Sequence, residues 1–487
     1  MNVGRLRRRS LPGQGALLVI ALCVALLFQG SRGLYETTEG RYAEVAREMV
    51  ATGDWMTPRL DGQPHWSKPP LTYWSIAACL EVGGRNTWSA RIPGAIAFLV
   101  AVVAVSSLGA ALWDEATGVV AGIVFATSPF VVAGENVVSP DMLLACWEIV
   151  AVGCWWRAVR AREGRSQRGW VTGMWAMFGL AFLTKGPPGL LPLAAILAFV
   201  MIERRRGDRT PRLAQPAGVL LFVLLAFGWY ALVVSHDHAL AGYLLGEEVW
   251  GRVATGMHHR NARWYMPAVV FGLPLLVGGG AWLITSIIDA WRFSARSRWR
   301  DTVHGREAGF LLLWFALPLM VFCISKSRLP LYVLPLGAPL ALGAARLAVR
   351  ACGEAGALRR AAWVGIVSAT LLVAAKGVSA RMHSREDMRP LAEAARATNA
   401  DRITVIDETA LYGLEFYLDG SLHRMTGREL GAELDAARSR LNATPGRSEL
   451  LLSRRGEPAS LGRACRSSLS CTASSSGRYQ LWLLRAN

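Results

Sequence analysis

Hydrophobic positions along this chain gather into long uninterrupted runs, and the polar positions between them sort by charge. Apolar runs near 15–31, 89–112, 117–133, 137–157, 169–184, 187–202, 214–235, 265–288, 308–324, 330–349 and 361–378 each approach the length a helix needs to cross a bilayer. That length is roughly 17–25 residues for about 30 Å of hydrocarbon, and the pattern predicts about eleven transmembrane helices, or up to about thirteen. Arg5, Arg7, Arg8 and Arg9 hold the N-terminus in the cytoplasm. Alternation then puts 158–168, 203–212, 292–306 and 350–360 on the same side. All four are basic, as Arg160, Arg162, Arg204, Arg205, Arg296 and Arg298 illustrate. A miscounted helix would invert every later loop. The first run, followed by Gln29-Gly30-Ser31-Arg32, reads as a retained helix rather than a cleaved signal peptide.

Two stretches do not fit a plain bundle. The first outer loop, 32–88, is longer than a connector and must hold structure of its own. Within it Thr38 can cap a helix that places Tyr42, Val45, Ala46, Met49 and Val50 on one face, with Gly53 as its stop. Such an amphipathic helix suits the plane of the interface, as does a second over 71–82 with Trp66, Tyr73 and Trp74 as headgroup-level anchors. The segment 379–487 is polar and too long for a tail. Strands are expected at 402–407, 448–453 and 479–484, a short helix at 411–418, and loop through the Ser/Arg-rich 453–478. The division is therefore 1–378, a polytopic α-helical membrane domain with interfacial helices in 32–88, and 379–487, a small soluble α/β domain outside the cytoplasm.

Composition adds a constraint. Of 487 residues, 53% are hydrophobic, yet the net charge is +18. The excess sits mostly in the inner loops, so it reads as topology and lipid-headgroup contact rather than nucleic-acid binding. Six of the eight cysteines lie in or beside apolar runs as packing residues; Cys465 and Cys471 can close a short disulfide in an oxidising compartment.

The outer turns deliver the ionisable residues. The first loop supplies Glu36, Glu39, Arg41, Glu44 and Lys68. Later turns supply Glu135, Asp141, Lys185, His258, His259, Arg260 and Arg328, with Tyr332 one turn on. Cations in apolar surroundings suit a lipid-linked phosphate, whose charge needs Lys or Arg and whose tail needs a greasy groove. Carboxylates beside them suit a general base or a divalent metal. A sugar carried on a polyprenyl phosphate satisfies both demands. Adjacent His258 and His259 point apart, which disfavours joint ligation of a metal. Glu148 lies mid-span on the Asp141 face of its helix, where an acid faces a cavity or a partner.

Leu34-Tyr35-Glu36-Thr37-Thr38-Glu39-Gly40-Arg41-Tyr42-Ala43-Glu44, then Arg47-Glu48-Met49, Gly53-Asp54-Trp55 and Ser67-Lys68-Pro69-Pro70, resembles the first loop of bacterial aminoarabinose transferase-like enzymes. These are GT-C glycosyltransferases akin to protein O-mannosyltransferases. The resemblance continues at Asp141, Thr184-Lys185-Gly186, His258-His259-Arg260 with Trp264-Tyr265, and Ser325-Lys326-Ser327-Arg328-Leu329-Pro330-Leu331-Tyr332, and so covers about residues 30–345. It implies a GT-C architecture in the bacterial inner membrane, an undecaprenyl-phosphate sugar donor, inversion at the anomeric carbon, and an outer-leaflet acceptor such as lipid A or another envelope glycan. On the matched positions it implies Glu39, Asp141 and Glu36 as acidic groups. Lys68, Lys185, Arg41, Arg260, Arg328, Tyr332 and His258 would then serve the donor phosphate and lipid. The family's divalent metal is the implied cofactor, but two expected acids are Thr38 and Ser67 here.

The alternative is a transporter or flippase of a polyprenyl-phosphate-linked substrate, with no covalent step. It predicts ionisable residues spread through membrane depth and internal repeats. Charge here crowds one face and no repeat is visible, which favours transfer.

Overall fold

The computed structural model describes residues 12–237, 240, 261, 263–294, 305–382, 384, 386–408, 410–444, 446–454 and 470–486. Each apolar run coincides with helix. Among the described residues six helices are long and apolar enough to cross a membrane: Thr87–Leu112, Asp141–Arg160, Pro187–Arg205, Pro216–His236, Arg306–Ile324 and Pro330–Ser379, the last 50 residues long. There are up to eight if two bent pairs, Glu115–Ala126 with Pro129–Glu135 (61°) and Ala268–Val277 with Ala281–Arg292 (80°), each make one span. Pro12–Leu26 and Arg165–Lys185 are the remaining helices at predicted runs. The final two runs are joined as Gly337–Ser379, broken only at Gly353, whose φ of 70° lies in the left-handed region. The basic segment 350–360, expected as a loop, is thus helical on both sides of one kink.

By its contacts the chain divides into two units. One comprises Met1–Gln29, Trp66–Thr72 and Arg91–Gly377; the other comprises Gly30–His65, Tyr73–Ala90 and Val378–Asn487.

The helical unit is built around aromatic side chains. Trp155, Trp156, Phe199 and Phe310 meet with ring centroids 4.8–5.9 Å apart. Pro216–His236 instead turns Leu220, Leu224 and Phe227 outward, as a helix does when its solvent is lipid. The basic ends of the helices are partly neutralised: Glu203 pairs with Arg306, Asp289 with Arg360 and Asp114 with Arg346. Arg306 and Arg360, which lie in basic segments that read as a topology signal, therefore also anchor the buried acids Glu203 and Asp289. A buried polar knot joins the first and last helical segments. Gln29 Nε2 donates to Glu135 Oε1 at 2.5 Å, Lys376 Nζ donates to Gln29 Oε1 at 2.7 Å, and Asn136 Nδ2 donates to Gln29 Oε1 at 2.8 Å. Lys376 also stands 3.6 Å from Glu135.

The other unit holds a five-stranded mixed sheet. Strand Arg402–Ile406 runs parallel to Leu422–Met425 on one side and to Ser448–Arg454 on the other. Tyr479–Arg485 pairs antiparallel with Ser448–Arg454 and, on its far side, with Ser470–Ser476. The last of these corrects the loop expected through 453–478. Ser470–Ser476 is a polar, mostly exposed edge strand, so no buried face wrote an apolar alternation into it. Residues 455–469, including Cys465, lie outside the described residues.

Loop one belongs to this unit. Helix Thr38–Thr52 ends at Gly53, whose φ is 69° and whose N–H donates to Met49 O, as its stop signal predicts. Thr38 is its first residue rather than its cap. Its charged side is not left to headgroups or water: Glu39, Glu44, Arg47 and Glu48 are all buried, and the helix packs on Tyr412–Tyr417. The crossing is close enough that a Cβ on Gly40 would stand 2.4 Å from Gly413 N. Gly40→Ala should therefore loosen this packing by about 1–3 kcal/mol. Limited proteolysis of the full chain should show earlier cleavage in 53–65; an unchanged cleavage rate refutes the close approach.

Candidate functional site

Helices Asp141–Arg160 and Arg165–Lys185 are nearly equal in length and joined by a short turn, so they form an antiparallel hairpin whose open end brings residues 141 and 185 together. Asp141 opens its helix, where the dipole favours an anion, and Lys185 closes the other, where it favours a cation. Gly186, with φ 78°, ends the second helix, and Pro187 and Pro188 begin the next turn, which fixes the backbone at Lys185. Lys185 Nζ donates to Asp141 Oδ1 in a buried ion pair. The ring of Tyr332, on the turn Pro330–Leu336, lies 4.3 Å from the same ammonium. Ser139 Oγ accepts from the Asp141 N–H at 3.3 Å. Glu148 is buried on the same helix, with Asp141 and Lys185 as its charged neighbours. The geometry thus gathers Asp141, Lys185 and Tyr332 from three sequence-distant turns.

Two other predicted residues belong to the same unit. Lys68 is half-buried in the Ser67-Lys68-Pro69-Pro70 turn, beside Trp66, whose ring meets Trp229 at 5.9 Å. Arg328, expected on donor phosphate, is buried with its guanidinium donating to three backbone carbonyls: Asn261 O at 2.8 Å, Arg263 O at 3.2 Å and Cys323 O at 2.8 Å. It ties Asn261 and Arg263 to Cys323, while its buried Nε has no hydrogen-bond partner. His258 and Arg260 lie outside the described residues.

The first-loop acids are engaged in structure. Glu39 is gripped by Arg32 through two bonds, Nη1 to Oε2 at 2.5 Å and Nη2 to Oε1 at 2.9 Å, and accepts from Tyr35 N at 3.0 Å. Sequence reading passed over Arg32, although a cation seven residues ahead of a buried-face acid was its available signal. Glu36 Oε1 accepts from Gly413 N at 2.5 Å, capping helix Tyr412–Tyr417, while its buried Oε2 has no hydrogen-bond partner. Burial, resisted by the Gly413 and Leu414 N–H groups, pushes the Glu36 carboxyl up to about 7. Glu44 and Arg47 form a buried pair at 2.6 Å, Glu48 accepts from Gly62 N at 3.1 Å, and Arg424 bridges Glu415 (2.8 Å) and Asp61. Burial, with Glu44 and Glu48 close by, raises Glu415 to about 8. Arg41 differs from these arginines: it lies beside the Tyr42 ring at 5.7 Å, and its buried Nε has no hydrogen-bond partner.

A divalent ion does not fit these groups. Among the described residues no three His, Cys, Asp or Glu side chains are arranged to hold one. Glu39 and Asp141 already face Arg32 and Lys185, and positions 38 and 67 offer only hydroxyls.

Residues 67–231 match the family model of dolichyl-phosphate-mannose-protein mannosyltransferases. The chain is 30% identical over 353 residues to the undecaprenyl phosphate-alpha-4-amino-4-deoxy-L-arabinose arabinosyl transferase 2 of Sodalis glossinidius, a match spanning 71% of this chain and 61% of that protein. It is 28% identical over 351 residues to the corresponding transferase of Edwardsiella ictaluri, spanning 72% and 61%. The matched stretch is thus about three fifths of these relatives' length. Among solved structures, ArnT from Cupriavidus metallidurans bound to undecaprenyl phosphate superposes with a TM-score of 0.74 at 20% identity, covering 97% of this chain and 98% of that one. The Archaeoglobus fulgidus oligosaccharyltransferase superposes with 0.57 at 13% identity, covering 97% and 74%. The chain is thus similar in sequence, over about 70% of its length, to aminoarabinose transferase-like enzymes, and over nearly all of it has the fold of their solved GT-C relative.

Proposed function

We propose that this protein is a multi-pass inner-membrane glycosyltransferase that moves a sugar from undecaprenyl phosphate to an outer-leaflet lipid or envelope glycan. The observation that carries the reading is the buried Asp141–Lys185 pair under the Tyr332 ring, at the open end of a helix hairpin in a lipid-facing bundle. An ammonium held by one carboxylate and one ring face is well suited to a second anion. When a donor phosphate arrives, Lys185 has a new partner and Asp141 is released to take the proton of an acceptor hydroxyl. The acceptor oxygen forms a bond to the anomeric carbon, and the bond from that carbon to phosphate oxygen breaks. The electron pair leaves with undecaprenyl phosphate, where Lys185 stabilises its charge. Attack opposite the leaving phosphate inverts the anomeric centre. Lys68 is the second cation proposed for this unit. Arg41, with its unpaired buried donor, is proposed separately as an anion contact of the first loop.

We further propose eleven crossings, counting Pro12–Leu26, Arg165–Lys185, each bent pair, and the two halves of Pro330–Ser379 on either side of Gly353. The N-terminus is then cytoplasmic and 378–487 lies outside.

The test is transfer from a purified undecaprenyl-phosphate sugar to envelope glycolipid by the reconstituted protein, read by mass. Transfer supports the reading; flipping of a labelled polyprenyl phosphate with no transfer replaces it with the transporter. Because the acids that would hold a metal face arginine and lysine instead, transfer should survive a chelator with less than about twofold loss. A loss of roughly 10²-fold, restored by a divalent ion, would show that a metal shares the work.

A further inference from the structure

The soluble unit carries a groove that none of the preceding chemistry uses. Two clefts adjoin there, of about 370 and 440 Å³. Each is in the size range of small-ligand sites, roughly 300–1,000 Å³. They share Arg396 and Asp419, so they adjoin as two parts of one groove. The first half is walled by Arg85, Asn86, Thr87, Arg389, Glu393 and Tyr417; the second by Asn399, Asp401 and Ser421.

Its floor is rigid. Arg389 donates to Ser31 O at 3.0 Å and, through Nη2, to Gly30 O and Thr87 Oγ1 at 3.2 Å each. Asp401 Oδ2 accepts from Ser448 N at 2.9 Å, and Tyr417 Oη accepts from Leu34 N at 2.8 Å. The rim is exposed: Arg85 meets Asp419 at 3.1 Å, and Arg396 donates to Tyr417 O. Asn399 and Asp419 both have left-handed backbone, φ 50° and 54°, and both present short polar side chains to the groove. Each follows a helix end, Arg389–Ala397 and Tyr412–Tyr417, where Asn and Asp commonly take this conformation.

The charge balance decides the ligand class. Arg85, Arg389 and Arg396 face Glu393, Asp401 and Asp419, so cations and carboxylates cancel. A phosphate or polyanion site keeps a cationic excess, and a metal site an anionic one. Donors and acceptors mixed at short spacing, with one half-buried tyrosine ring beside them, match a ligand whose every hydroxyl both donates and accepts. We propose that this groove binds a hydroxyl-rich saccharide in two subsites, the glycan portion of the acceptor. The inference rests on the transferase reading for what the saccharide is, though not for whether it binds.

The probe is the oligosaccharide released from envelope glycolipid by mild acid, titrated calorimetrically into the full chain in lipid nanodiscs, with inorganic phosphate as competitor. The expected result is saturable binding, unaffected by phosphate, and weakened roughly 10-fold by Arg396→Ala, the loss of a charged hydrogen bond. Asp419→Asn, which keeps the left-handed turn, should weaken it as well. Transfer to a glycan-free lipid acceptor should be unchanged in both variants. Absence of oligosaccharide binding, displacement by phosphate, or unaltered affinity in both variants overturns the groove. If the wild type binds oligosaccharide but transfers nothing, the transferase reading fails and the groove stands.

Discussion

Asp141→Asn should lower sugar transfer by roughly 10²–10⁴-fold, the usual contribution of a positioned general base. The substitution keeps size and shape at the start of helix Asp141–Arg160 and removes only the charge. Lys185→Met should lose a similar factor for a different reason: the leaving phosphate then departs without its ammonium. The two losses should not add. Lys185 and Asp141 hold one another in the resting protein, so each single change already breaks the arrangement, and the double variant should be little worse than either. Removing one partner alone also leaves the other buried without compensation, so stability must be followed in the same samples. Tyr332→Phe keeps the ring over Lys185 and should retain most activity, whereas Tyr332→Ala should not. The measurement is single-turnover transfer from a radiolabelled donor. Wild-type rates in Asp141→Asn and Lys185→Met together would remove these residues from the chemistry.

The members of the ion pair at the centre of that prediction were legible as separate outer-turn residues, but their pairing was not. Two apolar runs of nearly equal length with a short basic turn between them form a hairpin, and at its open end Lys185 meets Asp141. Gly186-Pro187-Pro188 and Ser139-Pro140 marked both ends. Local logic also placed the stop at Gly53 and strands at 402–407, 448–453 and 479–484, each within a residue of Arg402–Ile406, Ser448–Arg454 and Tyr479–Arg485. Partners across long sequence separations were not legible. Helix Thr38–Thr52 reads as amphipathic because its polar side carries Arg41, Glu44, Arg47 and Glu48. Nothing in 38–52 reveals that residues more than 350 positions later bury that side. For the same reason Glu39 and Glu36 read as unengaged acids; Arg32 grips Glu39, and the Gly413 N–H takes one oxygen of Glu36. Arg328 reads as a free outer cation until the carbonyls of 261, 263 and 323 are seen around it.

Burial of that polar side makes this unit sensitive to pH, and Arg47 is where the effect should be largest. Four carboxyl groups, Glu36, Glu44, Glu48 and Glu415, meet two arginines, Arg47 and Arg424, with Arg41, Tyr412, Asp61 and Arg59 at the periphery. Glu44 is fully buried, and its two bonds from Arg47 offset part of a burial effect that raises it overall. Each of these acids titrates higher in the folded protein than in the unfolded chain, so the folded state holds the extra protons. Stability is therefore greatest below the ordinary carboxylate value near 4.5, and falls as pH rises toward about 7 for Glu36 and about 8 for Glu415. Arg47→Met removes the cation while keeping much of the packing. At pH 8, with Glu44 ionised and unpaired, it should cost about 3–5 kcal/mol; near pH 5, where the carboxyl can take up a proton, the cost should fall to about 1–2 kcal/mol. Glu415→Gln should act in the opposite sense, stabilising the unit at pH 8 and leaving it nearly unchanged at pH 5. Hydrogen exchange across 38–52 and 402–425 in the full chain, measured at both pH values, separates these outcomes. Equal protection at pH 5 and 8 in Arg47→Met would mean that the cluster does not carry the excess negative charge that its geometry implies.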